Sequence, residues 1–176
     1  MNFSKLSLYT RTLLTGIFIT LSFISCEKDS LYSPEEIQEV QDVKEISDTS
    51  LQKNAGFLRQ QESLGGHTIE RHVAKSTAYL QNRLNTSSIS AASTFNELNQ
   101  AGQVIVNAIN ANSSKVNNWV NGSGSRLTLN YTHHRNIGVV LRRGQSSPTP
   151  SSKFLVVLQK RSNAPNGYYV LTSYPN

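Results

Sequence analysis

The chain has 176 residues and carries 17 Lys and Arg against 11 Asp and Glu, a net charge of +6 with histidine neutral. That length holds one domain of ordinary size once a targeting segment is set aside. Cys26 is the only cysteine, which excludes a disulfide within the chain, and the cationic excess points to a polyanionic partner.

Residues 1–25 place Lys5 and Arg11 ahead of the apolar run LLTGIFITLSFIS. A basic start, an apolar run of 13 residues and a small residue before the cut describe a secretory signal, since a spanning helix needs ~20 residues. Cys26 follows Phe23-Ile24-Ser25, an arrangement that resembles a bacterial lipobox and implies acylation of Cys26. The next residues, Glu27-Lys28-Asp29, resemble the acidic tether of surface-exported lipoproteins. The expected location is therefore the outer membrane or cell surface, through a lipid anchor alone.

Charge divides what remains. Residues 26–63 hold nine acidic and four basic side chains, net −5, whereas residues 64–176 hold two acidic (Glu70, Glu97) and eleven basic, net +9. The first stretch reads as an acidic tether with one short helix starting at Pro34 and ending near Val43. The second reads as the folded domain.

In that domain Thr68 is placed to cap a short helix, and Ser76 or Thr77 to start a second. The TFNE string at 94–97 has the form of a capping box, with Phe95, Leu98, Ala101, Ile105, Ala108 and Ile109 following at helical spacing. Val116, Trp119 and Val120 suggest one further turn. The period then changes: Leu127, Leu129 and Tyr131 alternate with polar residues, and 137–142, 154–160 and 168–174 are apolar or β-branched runs. HHRN, GQSSPTPSS and NAPNG separate them, the first as a hairpin tip. The fold class expected is α+β, with N-terminal helices followed by an antiparallel sheet of about four strands.

The stretch GGHTIERHV holds two of the four histidines, His67 and His72. Five positions turn ~140° about a helix axis, so the two rings do not share a helical metal site. Asp is absent after residue 63 and no Gly-x-Ser-x-Gly elbow occurs, which disfavours triad and paired-carboxylate chemistry. What survives needs no metal or cofactor: histidine, cations and hydroxyls acting on a phosphate, with the 2′-hydroxyl of RNA as nucleophile.

The strings GGHTIERHVAKSTAYLQNRL, ASTFNEL, IG at 137–138 and GYYVLTSYP resemble the RNase A-like toxin domain at the C-termini of bacterial contact-dependent growth inhibition proteins. The resemblance spans about residues 64–175. It implies an RNase A-like fold without the disulfides of vertebrate relatives, RNA as substrate and a cognate immunity protein as partner; the chain is expected to be a monomer. It also implies an active site of His72, Arg83, Thr172 and Tyr174: a general acid/base, a phosphate clamp and two hydroxyls. On one continuous helix His72 and Arg83 would lie ~16 Å apart, so the chain must break between them, at Ser76-Thr77. His72 would then end a helix whose dipole favours protonated imidazole, and Tyr174 is the candidate replacement for a second histidine as proton donor. Lys75 is a candidate phosphate contact. His67 either lines the cleft or serves the helix entry, and His133-His134 are exposed loop residues. Two non-enzymatic readings stand beside this one: a surface-anchored module that binds a polyanion without cleaving it, and an envelope lipoprotein with no such ligand.

Overall fold

The computed structural model describes residues 53–176. The signal segment, Cys26 and the helix expected at 34–43 lie outside the described residues.

Residues 53–63 form a helix, α1. Ala55, Leu58 and Gln61 recur at one-turn spacing and are all buried, Leu58 within the main core. Residues 53–63, expected above to be part of the tether, therefore belong to the fold. Their polar side chains concealed an amphipathic helix with only a few apolar positions. With them included, residues 53–176 carry a net charge of +10.

The glycine pair follows. Gly65 turns the chain at φ +96, and a Cβ on Gly66 would lie 2.6 Å from the Val170 carbonyl oxygen and 2.8 Å from that of Gln61. Helix α2 (Thr68–His72) comes next, with His67 at its N-cap position; Thr68, expected to cap, is its first residue and is buried. The predicted break is present. Ala74 takes a left-handed conformation (φ 52) and its N–H donates to the Phe95 carbonyl, 3.0 Å away. Helix α3 (Thr77–Thr86) then starts at Ser76, whose hydroxyl accepts from the Tyr79 N–H at 3.2 Å.

The TFNE box does not cap a helix at Thr94. Residues Ala91–Phe95 are a strand, β1, and Glu97 caps helix α4 (Leu98–Ala111) by accepting from the Gln100 N–H. Five residue pairs with a neighbouring strand and complete burial of Phe95 outweigh one cap hydrogen bond. The turn expected around Trp119 is a full helix, α5 (Ser113–Asn121).

Five more strands follow: β2 (Arg126–Thr132), β3 (Gly138–Arg142), β4 (Thr149–Ser151), β5 (Lys153–Lys160) and β6 (Tyr168–Pro175). They form two antiparallel three-stranded sheets, β1-β3-β4 and β2-β5-β6, in place of one sheet of about four strands. The two unforeseen strands are β1 and β4. Pro150 gives β4 the look of a loop, yet proline is compatible with an edge strand, where β4 sits. Because β2 and β3 belong to different sheets, residues 133–137 cross between sheets and are not a hairpin tip.

The main core joins α1, α4 and α5 to β2-β5-β6, with Leu58, Ile105, Leu129, Phe154 and Val156 fully buried. A smaller core of Leu80, Leu84, Ala92 and Leu141 holds α3 against β1 and β3. If α1 is part of the cooperative unit, Leu58→Ala costs ~2–5 kcal/mol in urea unfolding. Gly56→Ala, with nothing within 4 Å of the added Cβ, is neutral or stabilising by up to ~1 kcal/mol. A loss below ~1 kcal/mol for Leu58→Ala would place α1 outside that unit.

Candidate active site

A cleft of about 520 Å³ opens between the two sheets, lined by side chains from α2, α3, β1, β3, β5 and β6. Five of the sequence-predicted residues meet in it: His67, His72, Arg83, Thr172 and Tyr174. Each is delivered by a different local device.

His72 ends α2 and is buried, with 7 % of its surface exposed. Its Nδ1 lies 3.0 Å from the Ser93 carbonyl oxygen on β1. A carbonyl only accepts, so Nδ1 carries the proton in the neutral ring and Nε2 keeps its lone pair. On its other side the ring stacks on Tyr174, centroids 4.9 Å apart at 27°. The backbone around it is fastened to the same strand: Val73 bridges Phe95, and the Lys75 N–H donates to Thr94 Oγ1 at 2.9 Å.

The His72 pKa is lowered from 6.5 to about 4, chiefly by burial; the bond to Ser93 opposes this only in part, and the Arg83 charge acts in the same direction as burial. The expectation that the helix dipole favours an imidazolium is therefore corrected: desolvation wins over a helix of five residues. His72 is neutral near pH 7, the form that accepts a proton. The same direction holds for His67, by desolvation and then the Arg71 charge.

Arg83 faces the cleft from α3 while Leu80 and Leu84 anchor that helix to the smaller core. Its Nη1 is buried and has no partner among the described residues. The same is true of Thr172 Oγ1. Buried donors are normally satisfied, so both are poised for an acceptor that enters from outside. Thr172 and Tyr174 stand two apart on β6, and both line the cleft. Just ahead of them the β5–β6 register shifts: Val157 pairs with Thr172 and Leu158 with Val170, leaving Leu171 as a bulge. The Leu171 carbonyl accepts from the His67 N–H at 3.0 Å, so His67 both starts α2 and lines the cleft.

Lys75 does not line the cleft; its ammonium lies 5.4 Å above the Tyr79 ring. His133 and His134 are likewise absent from the lining and lie against each other with ring centroids 4.1 Å apart. Two cations that sequence reasoning passed over do line it, Arg71 and Arg142. Nothing local marks Arg142. Its neighbour Arg143 instead donates to the carbonyls of Leu84, Ser87 and Ile89, tying the end of α3 to β3. None of the described residues lining the cleft is Asp or Glu.

Two antiparallel sheets with a cationic, histidine-bearing cleft in their seam define an RNase A-like α+β domain. Residues 66–175 match the model of the bacterial CdiA-CT RNAse A domain, and the chain belongs to that family. Among solved structures it is similar to one described as the crystal structure of a CdiA-CT/CdiI complex from Y. kristensenii 33638, at 31 % identity and a TM-score of 0.60. That match covers 63 % of this chain and 99 % of the other. No curated protein matches the chain.

A histidine whose pKa is depressed in the folded state makes the unfolded state the better proton binder, so its stabilisation is complete above 6.5 and is lost as pH falls from 6.5 towards 4. The loss attributable to His72 is roughly 3 kcal/mol. Urea unfolding of the wild type and of His72→Gln across that range checks this: the wild type should lose that much more stability than the variant, and parallel curves would contradict it.

Proposed function

We propose that the domain is a metal-independent endoribonuclease toxin that cleaves RNA by attack of the 2′-hydroxyl and leaves a 2′,3′-cyclic phosphate. One observation carries the reading: His72, its Nδ1 held on the Ser93 carbonyl, stands in the same cleft as two buried donors without partners among the described residues, Arg83 Nη1 and Thr172 Oγ1. In this scheme His72 Nε2 takes the 2′-hydroxyl proton as the 2′ oxygen bonds to phosphorus. Arg83 and Thr172 donate to the phosphoryl oxygens, where charge gathers in the transition state. The bond to the 5′ oxygen breaks, and Tyr174 delivers the proton that this oxygen needs. Arg71 and Arg142 add positive potential for the flanking backbone.

Family membership supports a toxin role in competition between bacteria, and the CdiA-CT/CdiI relative supports a cognate immunity protein as partner. Export as a lipoprotein acylated at Cys26 and the monomeric state complete the proposal.

With RNA and excess EDTA, the chain should release fragments ending in 2′,3′-cyclic phosphate. His72→Ala should lower kcat ~10²–10⁴-fold, the range of a lost general base. Arg83→Ala should cost ~10²–10³-fold. Tyr174→Phe keeps the stacking ring and removes only the hydroxyl, so a rate unchanged from wild type would remove Tyr174 as the acid. Binding of RNA without cleavage would favour a non-catalytic polyanion-binding module, and neither binding nor cleavage would leave an envelope protein without such a ligand.

A further inference from the structure

We infer that Gln61 and Glu62, at the end of α1 and ahead of the residues the family model matches, are positioning residues that hold both walls of the cleft in register for catalysis. The inference rests on the ribonuclease reading above.

Helix α2 has five residues and supplies His72 and Arg71, with His67 at its N-cap position. A helix so short does not hold itself, and His67 makes no side-chain cap bond. The cap comes from outside: Glu62 Oε1 accepts from the Ile69 N–H and, at 3.4 Å, from the Glu70 N–H. A carboxylate is also the favoured charge at a helix start. Gln61 holds the opposite wall. Its backbone carbonyl accepts from the Gly66 N–H at 3.0 Å, and its side-chain oxygen accepts from the Val170 N–H at 2.9 Å. Val170 and the bulged Leu171 precede Thr172 directly, so two adjacent side chains of α1 fix the entry to α2 and the approach of β6 to the cleft.

Neither side chain lines the cleft, and neither touches the reacting atoms in the proposed scheme. Their effect is on placement. Loss of the Glu62 bonds frees the start of α2, and His72 at its other end shifts against the phosphate; displacements near 1 Å can cost ~10²-fold in rate. Loss of the Gln61 side-chain bond leaves a buried Val170 N–H unpaired beside the β6 bulge.

The test uses the full chain with a single-stranded oligoribonucleotide as substrate. Glu62→Ala should lower kcat by ~10- to 100-fold while KM stays within about twofold, because Arg83 on α3 and Arg142 on β3 keep their places and only Arg71 moves with α2. Glu62→Gln keeps an acceptor oxygen and should recover kcat to within about threefold of wild type. Gln61→Met should lower kcat in the same direction as Glu62→Ala. Amide hydrogen exchange supplies a readout that needs no activity: Ile69 and Glu70 should exchange about tenfold faster or more in Glu62→Ala, with Leu80 and Leu84 in α3 unchanged. Wild-type kcat in Glu62→Ala, equal impairment of the Ala and Gln variants, or unaltered exchange at Ile69 and Glu70 would each overturn the inference. A wild-type chain that does not cleave overturns the ribonuclease reading instead, and the exchange comparison alone then decides whether the clamp exists.

Discussion

The hydrogen bond from His72 Nδ1 to the Ser93 carbonyl is the contact on which the site depends. It fixes three things together: the tautomer of the ring, its orientation, and the junction between the first helices and β1. A helix ending at residue 72, a left-handed Ala74 and the bonds from Ala74 and Lys75 to Phe95 and Thr94 all place the imidazole on that carbonyl. Without the break the ring and the Arg83 guanidinium would be separated along one helix. With it, both reach one cleft.

The cleft also lies between two packing units, which explains how a small domain keeps buried polar atoms free. Arg83 is carried by the smaller core through Leu80 and Leu84, while Thr172 and Tyr174 stand on a strand of the main core. Each half is held by its own apolar contacts, so the seam can present Arg83 Nη1 and Thr172 Oγ1 without partners among the described residues. Desolvating such donors costs free energy that the surrounding burial must offset. The same desolvation, with the nearby cation, keeps His72 neutral. In the proposed mechanism one environment thus serves both needs, donors for a phosphate and a base ready to accept a proton.

Much of this was legible in the sequence, for physical reasons that differ by element. The alternation in 126–132 and the apolar runs of β5 and β6 report strands because one face of each is buried. The break after His72 followed from the shared site that the family resemblance implies for His72 and Arg83, from reach along a helix and from Ser76 as a cap. Helix α1 was hidden by its polar exposed side, and β1 by a capping-box pattern whose Thr94 instead serves the break after α2. The protonation state of His72 was misjudged because a dipole can be read from helix order, whereas burial depends on contacts with Ser93 and Tyr174 that lie 21 and 102 residues away. Arg142 could not be told from Arg143 by sequence, since only the sheet register sends one to the cleft and the other to the end of α3.

The proposed chemistry requires the buried ring of His72 to be neutral, with its Nε2 lone pair free. Nitrogen NMR of the His72 imidazole across the acid range tests it most directly. A neutral ring protonated at Nδ1 that titrates near 4 is the expected result. A neutral ring protonated at Nε2, or a titration at or above the ordinary 6.5, would contradict it.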